Sequence, residues 1–144
     1  MKLIELKESV KSMGIDVPST VKLRISEYNS GDKEYITLDD LELKEVPPGL
    51  PKKIRGSLYL GSNKLTSLAG SPDEVAVEFF VHRNPLKSLE GGPAVVGDDY
   101  SCHNCALTSL KGAPKVIGGS LNCTENQIST LEGFPEVINA SPAP

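Results

Sequence analysis

From Gly56 to Asn139 the apolar positions recur every 21 residues, four times, with no insertion. Leu58, Phe79, Tyr100 and Leu121 form one column, and Leu60, Val81, Cys102 and Cys123 form the next. A polar column of Asn63, Asn84, Cys105 and Asn126 follows. Two more apolar columns come after it: Leu65, Leu86, Leu107, Ile128, then Leu68, Leu89, Leu110, Leu131. Glycines at 70, 91, 112 and 133 and prolines at 72, 93, 114 and 135 hold the same phase, before a final column of Val75, Val96, Ile117 and Ile138. A fixed short period predicts a stacked solenoid, in which no single unit buries its own apolar side.

In the first full unit, Leu58 and Leu60 alternate with polar and aromatic neighbours, which predicts a short strand with its even positions inward there and the same columns inward in every unit. Such strands stack as a parallel sheet. The column Asn turns the chain, because one amide both donates and accepts. Gly and Pro set the return, which is too short for a helix and should run extended. An earlier, imperfect unit covers about 34–55. Ile36, Leu38, Leu41, Leu43 and Val46 match the columns at an offset of 22, whereas Gly49, Pro51 and Ile54 match at 21. One residue is therefore inserted around Pro47-Pro48.

Upstream, Leu3, Leu6, Val10 and Met13 fall on one face of a predicted amphipathic helix over 1–13. Two readings of residues 20–40 stay open. Val21–Ile25 and Tyr35–Asp39 alternate around the turn Asn29-Ser30-Gly31-Asp32, which favours a β-hairpin. The rival is a helix through Ser19–Tyr28 using Val21, Ile25 and Tyr28. The predicted organisation is an N-terminal cap over 1–33 (helix, then hairpin), five repeats over 34–138 and a tail over 139–144. The fold class is a solenoid with a parallel β-sheet on its concave face and an extended, turn-rich convex side. The last repeat has no evident closing cap.

The unit Leu58-x-Leu60-x-x-Asn63-x-Leu65-x-x-Leu68 resembles the leucine-rich repeat. The first turn, from Leu43 to Pro51, is similar to the short repeats of enterobacterial leucine-rich effectors. Later turns, such as Leu107 to Gly119, look more like arrays in tailed-phage and bacterial proteins. The resemblance spans about 34–139 and implies fold more than function. Some of the effectors carry a ubiquitin-ligase domain with a catalytic cysteine. No such domain is expected here, and the cysteines lie inside the repeat columns, so that activity is not carried over.

Composition fits a thin aliphatic core: there is no Trp and aromatics are 5%. A formal net charge of −4 gives no electrostatic case for a nucleic-acid partner. No stretch reaches the ~20 apolar residues of a membrane span, and the charged N-terminus lacks the apolar core of a secretion signal. The expected location is the cytoplasm (the host's, for a phage-encoded protein).

The candidate chemistry lies on the outward columns: Tyr35, Ser57, Glu78, Asp99, Ser120; Thr37, Tyr59, Phe80, Ser101, Asn122; Asp39, Gly61, His82, His103, Thr124. Tyr59 and Phe80 are predicted neighbours and the first candidates for a binding anchor, although cross-strand packing alone also explains them. Glu78, Asp99, Ser101, Asn122, His82 and His103 complete the candidate partner-binding face. His82 and His103 stack in one column, but Glu78 and Asp99 lie four residues away along the strands, about 13 Å, too far to share an ion with them. Cys102, His103, Cys105 and Cys123 resemble a zinc set at first sight. The register places Cys102 and Cys123 inward, Cys105 in the Asn column and His103 on the opposite face, so they do not converge. No metal, cofactor or catalytic group is expected. The expected function is a non-catalytic module that binds, and inhibits, a cellular protein through the concave sheet. Two alternatives stay open: a self-associating protein using its C-terminal end, and a small metal-binding protein using the Cys102/His103/Cys105/Cys123 cluster.

Overall fold

The computed structural model describes residues 17–139. The helix predicted over 1–13 and the tail beyond Asn139 lie outside the described residues. The chain forms a parallel β-solenoid of about five turns. It begins with helix α1 (Val17–Asn29), followed by ten short strands: β1 (Tyr35–Thr37), β2 (Lys53–Ile54), β3 (Ser57–Tyr59), β4 (Glu74–Val75), β5 (Phe79–Phe80), β6 (Val95–Val96), β7 (Tyr100–Ser101), β8 (Val116–Ile117), β9 (Leu121–Asn122) and β10 (Val137–Ile138). The odd strands form one parallel sheet in chain order and the even strands form a second. Each turn thus gives one strand to each sheet. The pairing of Tyr35 with Ser57 and of Lys53 with Glu74 reproduces the change in offset around Pro47-Pro48.

The side expected to be merely extended carries the second sheet. Its bonds run from each turn back to the one before: Ala76 N–H donates to Ile54 at 2.8 Å, Gly97 to Val75 at 2.9 Å and Gly118 to Val96 at 2.9 Å. The core between the sheets is the set of predicted columns. Ile36, Leu58, Phe79 and Tyr100 are buried, as are Leu65, Leu86 and Leu107. Turns stack so closely that the return bend requires glycine. Gly112 has φ +89, and a Cβ there would sit 2.1 Å from the Glu90 nitrogen.

The preferred hairpin reading of residues 20–40 is overturned. Val17–Asn29 is a helix that buries Thr20, Val21, Ile25 and Tyr28 at helical spacing. A strand would have placed Leu23 beside Val21 and Ile25, yet Leu23 is 53% exposed. Tyr35–Thr37 is a strand as predicted, but it pairs in parallel with β3 rather than folding back on residues 21–25. The parallel partner wins because it puts Ile36 in line with Leu58 and the rest of the core column. Helix α1 ends in Asn29 and Gly31 (φ +87), whose N–H donates to the Tyr28 carbonyl at 3.1 Å.

Two arginines pin α1 to the stack. Arg24 donates to the Thr37 carbonyl at 2.8 Å. Arg55 lies over the Tyr28 ring, 3.9 Å from its centroid, and donates to the Lys33 carbonyl at 3.2 Å and to the Tyr28 carbonyl. The Arg55 N–H in turn donates to the Tyr28 hydroxyl at 2.7 Å.

The polar column forms the expected ladder. Asn84 Nδ2 donates to Leu60 and Val81 at 2.9 Å, while its Oδ1 accepts from Leu65 N–H, one turn back, at 3.1 Å. Asn63 and Asn126 repeat the arrangement. Cys105 copies only half of it. Its thiol donates to Val81 at 3.2 Å, but it has no oxygen for Leu86 N–H, which closes on the Asn84 carbonyl at 2.8 Å instead.

Candidate functional site

The outer face of the first sheet is built by the odd strands, whose register sets its neighbours. Tyr59 pairs with Thr37, and Phe80 with Tyr59. The rings of Tyr59 and Phe80 meet at 5.4 Å between centroids, tilted by 57°. Tyr35 joins Tyr59 from the other side at 6.3 Å. Phe80 touches His82 edge-on at 6.1 Å, and His82 stacks on His103 at 4.7 Å with planes 2° apart. Five rings therefore form one unbroken path that crosses the sheet diagonally, from the outer column on the first turn to the inner column on the fourth. Tilted and edge contacts of this kind suit the quadrupoles of the rings.

The inner column explains the path's bend. A Cβ at Gly61 would lie 2.5 Å from the His82 ring. Glycine there lets the imidazole lean over the preceding strand. On the far side of Gly61, Asp39 Oδ1 accepts the Gly61 N–H at 2.6 Å. Burial, partly offset by that bond, pushes the Asp39 carboxyl up to about 6. Burial lowers the pKa of His82, and the neighbouring His103 and Arg83 lower it further. A neutral ring is what a parallel imidazole stack requires, since two imidazoliums would repel. His82 Nδ1 is shielded and finds no hydrogen-bond partner among the described residues, whereas His103 Nδ1 lies 2.7 Å from Ser101 Oγ.

The polar candidates divide. Glu78 is part of the aromatic path, accepting the Tyr59 hydroxyl at 2.7 Å. Asp99 instead accepts Ser120 N–H at 2.8 Å, and Asn122 accepts from the Thr124 hydroxyl at 2.8 Å, so both are turned to local backbone or neighbours. Ser101 is buried beneath His103. A hollow of about 300 Å³ lies beside these groups, lined by Phe80, His82, Asp99, His103 and Asn122. The outward columns carry Asp39, Glu78 and Asp99 and neither lysine nor arginine.

Two residues of this face escaped the sequence-based site. Tyr35 was visible as an outward aromatic, but its contact with Tyr59 is diagonal, and a reading by columns does not pair them. Asp39 had no signal, because its burial comes from the neighbouring turn.

The cysteines belong to the core. Cys102 and Cys105 are buried, and Cys123 is half-buried. Burial raises the Cys102 and Cys105 thiols above their ordinary pKa, which keeps them protonated. His103 bonds to Ser101 on the opposite face. Among the described residues no three His, Cys, Asp or Glu side chains gather to hold a metal ion. Among them, too, no helix is long and apolar enough to cross a membrane.

The geometry defines the class: a capped parallel β-solenoid whose first sheet presents an aromatic path. The chain matches no protein-family model and no curated protein.

Proposed function

We propose that this chain is a non-catalytic protein-binding module of the leucine-rich-repeat kind, docking its partner on the outer face of the first sheet. The observation that carries the proposal is the ring path from Tyr35 to His103. Aromatic side chains fixed by their neighbours give a large contact area at little entropic cost, which is how interface anchors work. Five strands present about 20 Å of width, enough for one interface of standard size. The face's carboxylates, with no opposing cation among its columns, favour a partner that brings positive charge. The likeness of the repeats to bacterial and tailed-phage arrays favours a small cytoplasmic protein that binds and blocks a cellular one.

The test is partner capture with the native chain and with Tyr59→Ala/Phe80→Ala. Both rings are outward, so the variant should fold, which a circular dichroism spectrum checks. Loss of the captured protein is the expected result. Equal capture by the folded double variant rejects the aromatic anchor.

A further inference from the structure

The last turn differs from every turn before it. Leu68, Leu89 and Leu110 are buried, but Leu131 in the same column is 78% exposed. Phe134 is 52% exposed and Val137 44%. Leu121 and Ile128 are only half-buried where their column mates are fully buried. Among the described residues both sheets also end here. Tyr100 and Cys102 give their N–H groups to the next turn, at 2.9 Å each. Leu121 and Cys123 hold the same positions, and β9 has no following strand among the described residues. In the second sheet, Val75 and Val96 carbonyls accept from the turn that follows, and Ile138 holds their position on β10. An apolar face flanked by two open strand edges is an unstable surface in water.

A fitting occupant must supply two short strands a sheet-thickness apart, with apolar side chains between them. A second copy of this chain supplies both strands at the correct separation. We infer that two copies pair through their last turns about a two-fold axis normal to the sheets. Such an axis sets β9 antiparallel to its mate and β10 antiparallel to its mate at once, and buries Leu131 and Phe134 of both. The assembly closes as a dimer, because α1 covers the other end and blocks head-to-tail growth. The axis also keeps the outer faces of both first sheets on one side. The result is a ten-stranded sheet with two ring paths, in which the two β3 strands stand seven spacings apart, about 34 Å. A partner with two matching sites would gain avidity from that spacing. The inference stands independently of what the ring path binds.

Charge supplies a second signature. Residues 121–139 hold Glu125, Glu132 and Glu136 and no lysine or arginine. Pairing brings these carboxylates closer, so salt should tighten the dimer by screening them. The experiment is light scattering of the full chain across a wide concentration range at low and high salt, with amide exchange on the same samples. The expected results are a concentration-dependent dimer, strengthened by salt, with the Leu121 and Cys123 amides protected only in the dimer. Leu131→Arg, at an exposed site that leaves folding intact, should weaken association about thirtyfold or more. A monomer at every concentration overturns the inference. So does a dimer that Leu131→Arg and Phe134→Arg both leave intact, one that salt loosens, or one whose Leu121 and Cys123 amides exchange freely.

Discussion

The first and last turns of the stack carry the same columns of residues in different surroundings. At the first turn, Ile36, Leu38 and Val46 are buried, with α1 packed against β1 and held by Tyr28, Arg24 and Arg55. At the last, Leu121 and Cys123 are half-buried and Leu131 stands in solvent. Residue type is conserved along each column, so it does not decide burial. Position in the stack does. Each turn's core is completed by the turn or cap on its other side, and stability is therefore distributed unevenly: high under the cap, low at the open end.

The contrast can be broken most directly at the cap. Tyr28→Ala removes a buried ring, its hydroxyl bond to Arg55 and the surface on which that guanidinium stacks. It should cost about 3–5 kcal/mol in urea unfolding. Phe134→Ala, also an aromatic truncation but at the open end, should cost no more than about 0.5 kcal/mol at concentrations where the protein is monomeric. Equal losses would show that the ends are equally stabilised and that the comparison fails.

The Asn ladder gives a smaller version of the same contrast. Asn84 is buried, so Asn84→Ala strands the Leu65 N–H and takes one of two donors from each of the Leu60 and Val81 carbonyls, which keep Asn63 Nδ2 and the Cys105 thiol, at about 2–3 kcal/mol. Asn126 makes equivalent bonds in the half-exposed last turn, where water replaces them. Asn126→Ala should cost about 1 kcal/mol. Between the two lies the rung that cysteine fills. Cys105→Asn restores an acceptor for Leu86 N–H and should stabilise the protein by about 1 kcal/mol, read as a higher urea midpoint at unchanged slope. A destabilised variant would mean that the third turn has closed too tightly around sulfur to admit the amide.

The smallest effect is a pH dependence near the cap. The Asp39 carboxyl is raised from an ordinary 3.8 to about 6 in the folded chain, chiefly by burial. Between those values the folded state binds more protons than the unfolded one. The Asp39 contribution is thus fully present below the unfolded pKa and is lost as pH rises through about 6. Asp39→Asn keeps an oxygen for Gly61 N–H and removes that decline. The variant should match the native chain in acid and exceed it at neutral pH. His82 runs the opposite way, since its lowered pKa makes acid destabilising, but it is common to both proteins and cancels in the difference. A native-minus-variant difference that is flat with pH would reject the buried carboxylate.

What was legible in the sequence follows from periodicity. The turn length, the inward columns, the Asn ladder, the inserted residue near Pro47 and the inward cysteines are all local patterns repeated in phase, and a stack converts phase directly into neighbourhood. The proximity of Tyr59 to Phe80 and of His82 to His103 comes from that same conversion. The stretch before the first repeat has no phase to read. Val21-Lys22-Leu23-Arg24-Ile25 satisfies a period of two and its surroundings satisfy a period near four. Only packing decided for the helix, through Tyr28 and Arg55, which lie 27 residues apart.

The tertiary structure also decided what depends on contacts across columns. A column reading pairs residues at equal phase, whereas the ring path moves diagonally, so Tyr35 joined it only once the strands were set side by side. The backbone bend after each inner position is another such decision. Asp40, Ser62, Arg83, Asn104 and Glu125 all adopt φ between 53° and 57°, a conformation their five different side chains do not announce. Stacking imposes it, because the same bend must recur on every turn for the ladder to stay in register. The sequence alone thus determined the period and the side of the sheet each residue faces. The stack determined how deeply each of those residues is buried and which rings touch across columns, because burial in a solenoid is supplied by the neighbouring turn.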